Sequence, residues 1–280
     1  MLNILIETIV DNLKLFPFLF AAYLLLEYLE HKASEKTLKL VQKSKKSGPF
    51  VGALCGIIPQ CGFSAAVANF YAARIVTLGT LIAVFLSTSD EMLPVMFAQS
   101  LPLKTICLII GYKFVYAFVC GTLLNLCIKP KQVETGIADL CQNENCPCEK
   151  DPSIIKAALF HSVKITIFIF LITLCFNFGI EYIPISDTLL NMLKTPLLSE
   201  IFASLFGLIP NCSSSVILTQ FYIENNITLS TMLSGTLVGT GVGILVLFRM
   251  NRNLKENIKI LILLYFCGLI GGLVSNLIIF

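Results

Sequence analysis

GIIPQCGFSAAVANFY, residues 56–71, and GLIPNCSSSVILTQFY, residues 207–222, decide the fold. Laid over one another they share Gly56/Gly207, Ile58/Ile209, Pro59/Pro210, Cys61/Cys212, Ser64/Ser215, Phe70/Phe221 and Tyr71/Tyr222, at a constant spacing of 151 residues. Gln60 over Asn211 and Asn69 over Gln220 exchange one amide for the other. At the same spacing Thr77, Leu78 and Thr80 fall on Thr228, Leu229 and Thr231, and Gly121 and Asn125 fall on Gly272 and Asn276. With one residue of slip, Lys14 in DNLKLFPFLF falls on Lys164 in HSVKITIFIF. A single spacing that holds across most of each half marks an internal repeat.

The surrounding chain reads as membrane-embedded. Of its 280 residues 56% are hydrophobic and 13% charged, with mean hydropathy +0.85. A soluble domain carries about 25% charged residues, so this chain has too little polar surface to clothe a soluble globule, whereas a bilayer accepts apolar side chains on the outside. The net charge of +3 gives no reason to expect nucleic acid as a partner. No basic start or small-residue cleavage site precedes the first apolar segment, which is therefore expected to stay in the mature protein. Six of the eleven cysteines (Cys55, Cys107, Cys120, Cys127, Cys175, Cys267) sit in apolar runs, where free cysteine behaves as a small hydrophobe.

Three regions follow: a first transmembrane repeat over 1–128, a cytoplasmic cysteine-containing linker over 129–153, and a second repeat over 154–280. The apolar segments of the first are Ile4–Leu29, Phe50–Tyr71, Ile75–Ser87, Met92–Leu101 and Thr105–Ile128. Those of the second are Ala157–Phe178, Leu197–Tyr222, Leu229–Phe248 and Ile260–Ile279. Loop charge sets their relative orientation, since lysine and arginine concentrate in cytoplasmic loops. Residues 31–49 hold Lys32, Lys36, Lys39, Lys43, Lys45 and Lys46, while the equivalent 181–199 hold Lys194 against Glu181 and Asp187. Arg249, Arg252, Lys255 and Lys259 face only Lys104 in the equivalent loop. The expected fold is thus an all-α polytopic membrane protein of two inverted-topology repeats, each of about five segments, with both termini outside. The count of five requires residues 75–101 to fold as two short pieces, either crossing twice or forming a re-entrant hairpin.

Proline in an apolar segment removes a backbone donor and frees a carbonyl, which membrane depth tolerates only inside protein or beside a wet cavity. Interrupted segments at matching positions of two halves point to the central site of a transporter. The substrate-binding candidates are therefore Pro59, Gln60, Cys61, Ser64 and Asn69 with Pro210, Asn211, Cys212, Ser213, Ser214, Ser215 and Gln220. Cys61 and Cys212 offer soft sulfur to a metal or metalloid. Packing at a kink is the plain alternative, but a kink alone needs no repeated amides and serines. Asp90 and Glu91, after Ser87 and Ser89, are candidates for ion coupling, because acids between apolar segments serve ions or protons; a solvated turn is their other reading. Their counterparts Gly241 and Val242 carry no charge.

Asp11 is a further candidate relay, three residues from Lys14 on one helix face. Lys113 and Arg74 read only as anchors. Cys141, Cys146 and Cys148 cluster in the linker at a spacing that is not a zinc-ribbon pattern; they read as tolerated loop sequence or as a metal-capturing group. No G-x-x-x-x-G-K-[ST] motif and no nucleophile–base set occurs, so neither ATP hydrolysis, nor other enzyme activity, nor a resident cofactor is expected.

Four stretches carry a family resemblance: PFLFAAYLLLEYLEHK (17–32), IPQCGFSAAVANFYAARIVTLGTLIAVFLSTSDEMLP (58–94), GLIPNCSSSVILTQFY (207–222) and GVGILVLFRMNRN (241–253). The chain resembles the bacterial ten-transmembrane heavy-metal exporters, also described as arsenic efflux proteins or manganese transporters, and more distantly the arsenic permeases. The resemblance implies ten transmembrane segments, a multi-pass location in the bacterial inner membrane, and export. It leaves the substrate open between arsenite or an organoarsenical, held at Cys61 and Cys212, and manganese, held by Asp90, Glu91, Gln60 and Asn211. A non-transporting thiol-redox protein or receptor is the reading of another class. The partners expected are the lipid bilayer and a metal or metalloid substrate; assembly as a homo-oligomer is left open.

Overall fold

The computed structural model describes residues 5–24 (7, 11, 14, 15, 18 and 22 excepted), 47–59, 61–89, 91–128, 154–182 and 197–278. Every regular element among them is a helix. Helical turns between residues 5 and 24 come first. Then follow α1 (Gly48–Gly56), α2 (Cys61–Ala72), α3 (Leu78–Ser87), α4 (Met92–Ala98) and α5 (Leu103–Cys127). After α6 (Ile154–Tyr182) come α7 (Leu198–Gly207), α8 (Ser213–Ile223), α9 (Leu229–Val238), α10 (Gly243–Met250) and α11 (Leu254–Ile278).

The spacing of 151 recurs in the helix bounds. It separates Gly56 from Gly207, Leu78 from Leu229, Ser87 from Val238, Met92 from Gly243, Leu103 from Leu254 and Cys127 from Ile278. Local devices recur with it. The Thr77 hydroxyl caps α3 by accepting from the Thr80 N–H (3.3 Å), and Thr228 caps α9 by accepting from the Thr231 N–H (3.2 Å). The turns before those caps place Arg74 (φ 61°) and Asn225 (φ 59°) in the left-handed region.

Among the described residues, five stretches are long and apolar enough to span: Leu78–Ala98, Leu103–Cys127, Ala158–Cys175, Leu229–Met250 and Leu254–Ile278. At 1.5 Å per residue the 25-residue α5 and α11 are each about 38 Å long, against a hydrocarbon core of ~30 Å. Their outer faces are apolar: Val115, Val119, Leu123 and Leu126 on α5, and Ile258, Ile262, Phe266 and Ile270 on α11 are exposed. Exposed apolar stripes of this extent mark a lipid-facing surface. The ten-residue α3 and seven-residue α4 are each too short to cross alone, and together form the single broken stretch Leu78–Ala98. The sequence reads Leu229–Phe248 as unbroken, yet the helix stops at Val238 and restarts at Gly243. Gly239 and Gly241 account for the stop, since Gly241 takes φ 53°, which a residue without Cβ adopts at no steric cost.

α3, buried from Gly79 to Ser87, and the fully buried α9 form the centre. α1 runs beside α3 in the same direction: a Cβ on Gly52 would lie 3.0 Å from the Thr80 carbonyl and one on Gly56 2.7 Å from the Val84 carbonyl. Because α1 starts beside Thr80, and α2 ends five residues before α3 begins, the α1–α2 pair enters and leaves at the same end of α3. α7 runs along α9 in the same way, with the Thr231 hydroxyl donating to Ser199 (3.0 Å) at their starts and Ala203 against Gly235 further along. α5 and α11 are antiparallel to each other: Tyr112 donates to the Gly271 carbonyl, and Tyr116 donates to the Cys267 carbonyl at 2.6 Å.

The bundle therefore has two distinct ends. At one, called here the basic end, α1, α3 and α11 begin and α5 finishes, with Asn125 Oδ1 accepting from the Gly79 N–H at 3.1 Å. At the opposite end α5, α7 and α9 begin and α11 finishes, with the Ser230 hydroxyl donating to the Gly272 carbonyl at 2.8 Å. Glycine-to-backbone contacts such as Gly121 on Gly79 let these helices approach closely, the usual packing of helices in lipid.

Candidate functional site

Each proline-containing segment sits at the tip of a helix pair. Pro59 lies between α1 and α2, and Pro210 between α7 and α8. Lacking an N–H, each proline ends the preceding ladder of hydrogen bonds. The side chains beyond it hydrogen-bond to the backbone of the returning helix's first turn. Ser64 donates to the Cys61 carbonyl (2.7 Å), Ser215 to the Cys212 carbonyl (2.7 Å) and Ser214 to the Asn211 carbonyl (2.8 Å). Asn211 Oδ1 accepts from the Ser213 N–H at 3.4 Å. Ser64, Asn211, Ser214 and Ser215 are buried, while Cys61, Cys212 and Ser213 are half-buried; neither cysteine forms a disulfide among the described residues.

The two cysteine-bearing helices are not each other's packing partners. α2 lies along α10, and α8 reaches α4. The Ser64 hydroxyl also meets the Thr240 carbonyl at 2.9 Å, and a Cβ on Gly243 would stand 2.8 Å from the Ser64 Cβ. The first tip thus docks on the break of the second half, and α8 packs on the short helix that follows the break of the first.

Asn69 is fully buried; its Oδ1 accepts from the Tyr23 hydroxyl at 3.4 Å, and its Nδ2 has no hydrogen-bond partner among the described residues. Its counterpart Gln220 goes elsewhere, donating to Glu224 at the protein surface (2.8 Å) and lining a cavity of about 410 Å³ between α4 and α8.

Ser87, Thr88 and Ser89, in the break after α3, are buried, and their hydroxyls donate back to the Ala83, Val84 and Ser87 carbonyls at 2.8, 2.7 and 3.1 Å. Glu91 is half-buried at the start of α4 and makes no side-chain capping bond. Gln60, Asp90, Asp11, Cys141, Cys146 and Cys148 lie outside the described residues. Among the described residues no group of three or more His, Cys, Asp or Glu could hold a metal ion. A metal substrate bound by these residues would meet thiol, hydroxyl, amide and carbonyl atoms together.

Residues 1–180, well over half of the chain, match the family model described as "Putative, 10TM heavy-metal exporter". The chain belongs to this heavy-metal exporter family. The apolar spans described above agree with the membrane location that the family implies. Neither a curated protein nor a solved structure matches the chain significantly.

Two features of this exporter-family member were not recognised from sequence. Lys113, read there as an anchor, does not reach for the interface: it is 0% exposed, and its Nζ donates to the Thr88 and Thr236 carbonyls at 2.5 and 3.0 Å. The signal was its position, a lone cation midway along an apolar span. Arg74 pairs with Glu256, its Nη1 and Nη2 donating to Oε1 and Oε2 at 2.6 and 2.8 Å. The carboxylate raises the Arg74 pKa above its ordinary value, hydrogen bonding outweighing desolvation. Tyr71 donates to the same carboxylate at 2.5 Å. These three residues line a cavity of about 580 Å³ at the basic end, with Thr77, Asn125 and Lys259. No sequence pattern joins partners so far apart.

Proposed function

We propose that the chain is a secondary transporter that exports a soft metal or metalloid, arsenite or an organoarsenical, by alternating access. The observation that carries this reading is the matched pair of helix hairpins, each tipped by Ile-Pro-amide-Cys and each packed against the short helix that follows the other half's break. In transporters built from repeats, discontinuous helices near the bilayer midplane hold substrate and coupling ions, and one repeat rocks against the other. Half-buried thiols at both tips offer the soft ligands that such a substrate prefers.

The halves are, on this reading, inverted repeats. The antiparallel course of the equivalent helices α5 and α11 supports inversion, as does the start of α3 and α9 at opposite ends. The first helix, the broken α3–α4 stretch and α5 then give three crossings, with α1–α2 dipping in and returning. An odd number is what inversion requires. The basic end is assigned to the cytoplasm. The lysine-rich residues 31–46 lead into α1 there, the linker with Lys129 and Lys131 leaves α5 there, and Arg252 and Lys255 lie where α11 begins. The exporter would sit in a bacterial inner membrane with both termini outside. Asp90 and Glu91 remain candidates for coupling, Asp11 for a relay, and the linker cysteines for capture.

The test is survival of a metal-sensitive bacterial strain expressing the chain, challenged with arsenite, methylated arsenicals, manganese, zinc and copper. Protection against arsenicals is the expected outcome. Protection confined to manganese would move binding to the carboxylates and amides, and protection against none would overturn the exporter reading.

A further inference from the structure

Lys113 is a cation that the helix bundle buries completely. It stands midway along α5, fully buried, at a position whose counterpart in the repeat is the apolar Leu264. Its two carbonyl partners are equivalent in kind. Thr88 is the residue that caps the C-terminus of α3, and Thr236 lies in the last turn of α9. One ammonium therefore joins the C-terminal ends of the two central half-helices, one from each repeat.

The C-terminus of a helix carries about half a negative charge on its unpaired carbonyls. Where a helix is broken inside a membrane, those carbonyls are the atoms that coordinate a coupling sodium ion or proton. Here the chain supplies the cation itself. The residues that carry the two carbonyls are themselves buried, Thr88 at 4% and Thr236 at 2% exposure. Oxygen ligands with a single positive charge at their centre describe a monovalent cation site. The repeat explains why there is one lysine and not two. A second ammonium at position 264, fully buried on α11, would put another like charge into the same interior, and charges at that depth are prohibitive.

We infer that the Lys113 ammonium fills the place of a coupling cation between the two broken helices, so that no sodium ion binds there during the cycle. This inference rests on the transporter reading of those breaks, but its test does not use transport. Thr88 precedes Ser89 and Asp90 in the chain, and Glu91 opens α4, so the acids suspected of coupling belong to the same break.

The experiment is thermal unfolding of the full purified chain in detergent, in sodium chloride against choline chloride at equal ionic strength. Wild type is expected to melt at the same temperature in both salts. Lys113→Ala removes the cation and leaves its oxygen cage; it should melt lower in choline and recover by on the order of 3 °C or more in sodium, in a saturating manner. Lys113→Met, which fills the space without charge, should melt lower and gain nothing from sodium. Selective stabilisation of wild type by sodium would overturn the inference, as would a folded Lys113→Ala protein indifferent to sodium. Should Lys113→Ala fail to fold, equilibrium binding of radioactive sodium to wild type decides: binding at this cage, removed in Lys113→Arg, overturns the inference, and absence of binding supports it. A chain that protects against no metal yet melts as expected would lose the exporter reading and keep the built-in cation.

Discussion

Arg74 and Glu256, 182 residues apart in sequence, close the basic end of the bundle with two parallel hydrogen bonds of 2.6 and 2.8 Å. The fork-on-carboxylate geometry fixes direction as well as distance. It ties the turn between α2 and α3 to the first turn of α11, and hence the first half to the second. Their counterparts, Asn225 and Thr105, can form no ion pair, so the latch exists at one end only. A machine that opens alternately to each side would have to break this contact in half of its cycle.

Arg74→Ala and Glu256→Gln should therefore shift the protein toward opening at the basic end. Each leaves a partly buried partner unpaired, at a cost of about 1–2 kcal/mol. The measurement is the rate at which a membrane-impermeant maleimide labels Cys61 in inside-out vesicles. A several-fold rise is expected in both variants, and Arg74→Lys should fall between, because it keeps the charge and loses the fork. Unchanged labelling would remove the latch from the cycle.

If the thiols hold the substrate, Cys61→Ser and Cys212→Ser should each weaken arsenite protection, and the double variant should abolish it. Manganese protection should be untouched in all three. Full arsenite protection by the double variant would show that the cysteines only pack.

Close helix packing gives a test on one helix. Gly121→Ala would set a Cβ 2.5 Å from the Gly79 carbonyl oxygen and 2.8 Å from the Ala83 Cβ, whereas a Cβ at Gly111 meets nothing within 4 Å. The first change should cost roughly 1–3 kcal/mol by overpacking. The second should be neutral or stabilising by up to about 1 kcal/mol through helix propensity. Melting in detergent measures both, and equal effects would contradict the described packing of α3 on α5.

Orientation is open to a direct check. Single cysteines at Arg252 and Ser100, both exposed, lie at opposite ends of the bundle. In a chain whose native cysteines are masked, Cys at 252 should label only from the cytoplasmic face, and Cys at 100 only from outside. The reverse pattern would invert the assignment while leaving the fold intact.

The repeat was legible in the sequence because equivalent positions keep equivalent local chemistry. Pro59 and Pro210 follow the ends of α1 and α7 and lack an N–H, and Thr77 and Thr228 cap the starts of α3 and α9 with the same hydroxyl; both effects act within a few residues. The membrane was legible too, from composition alone. The break at Gly239–Val242 was not, because apolar residues continue across it and a glycine leaves no mark on hydropathy.

The sequence by itself determined that the chain is helical, membrane-embedded and built twice over, since periodicity, turn chemistry and hydropathy are local properties. Only the tertiary structure decided that each hairpin packs on the short helix after the opposite half's break, that Arg74 meets Glu256, and that Lys113 turns inward onto the Thr88 and Thr236 carbonyls. These are meetings of residues far apart in the chain. They follow from the close approach of whole helices, which no local stretch of residues encodes.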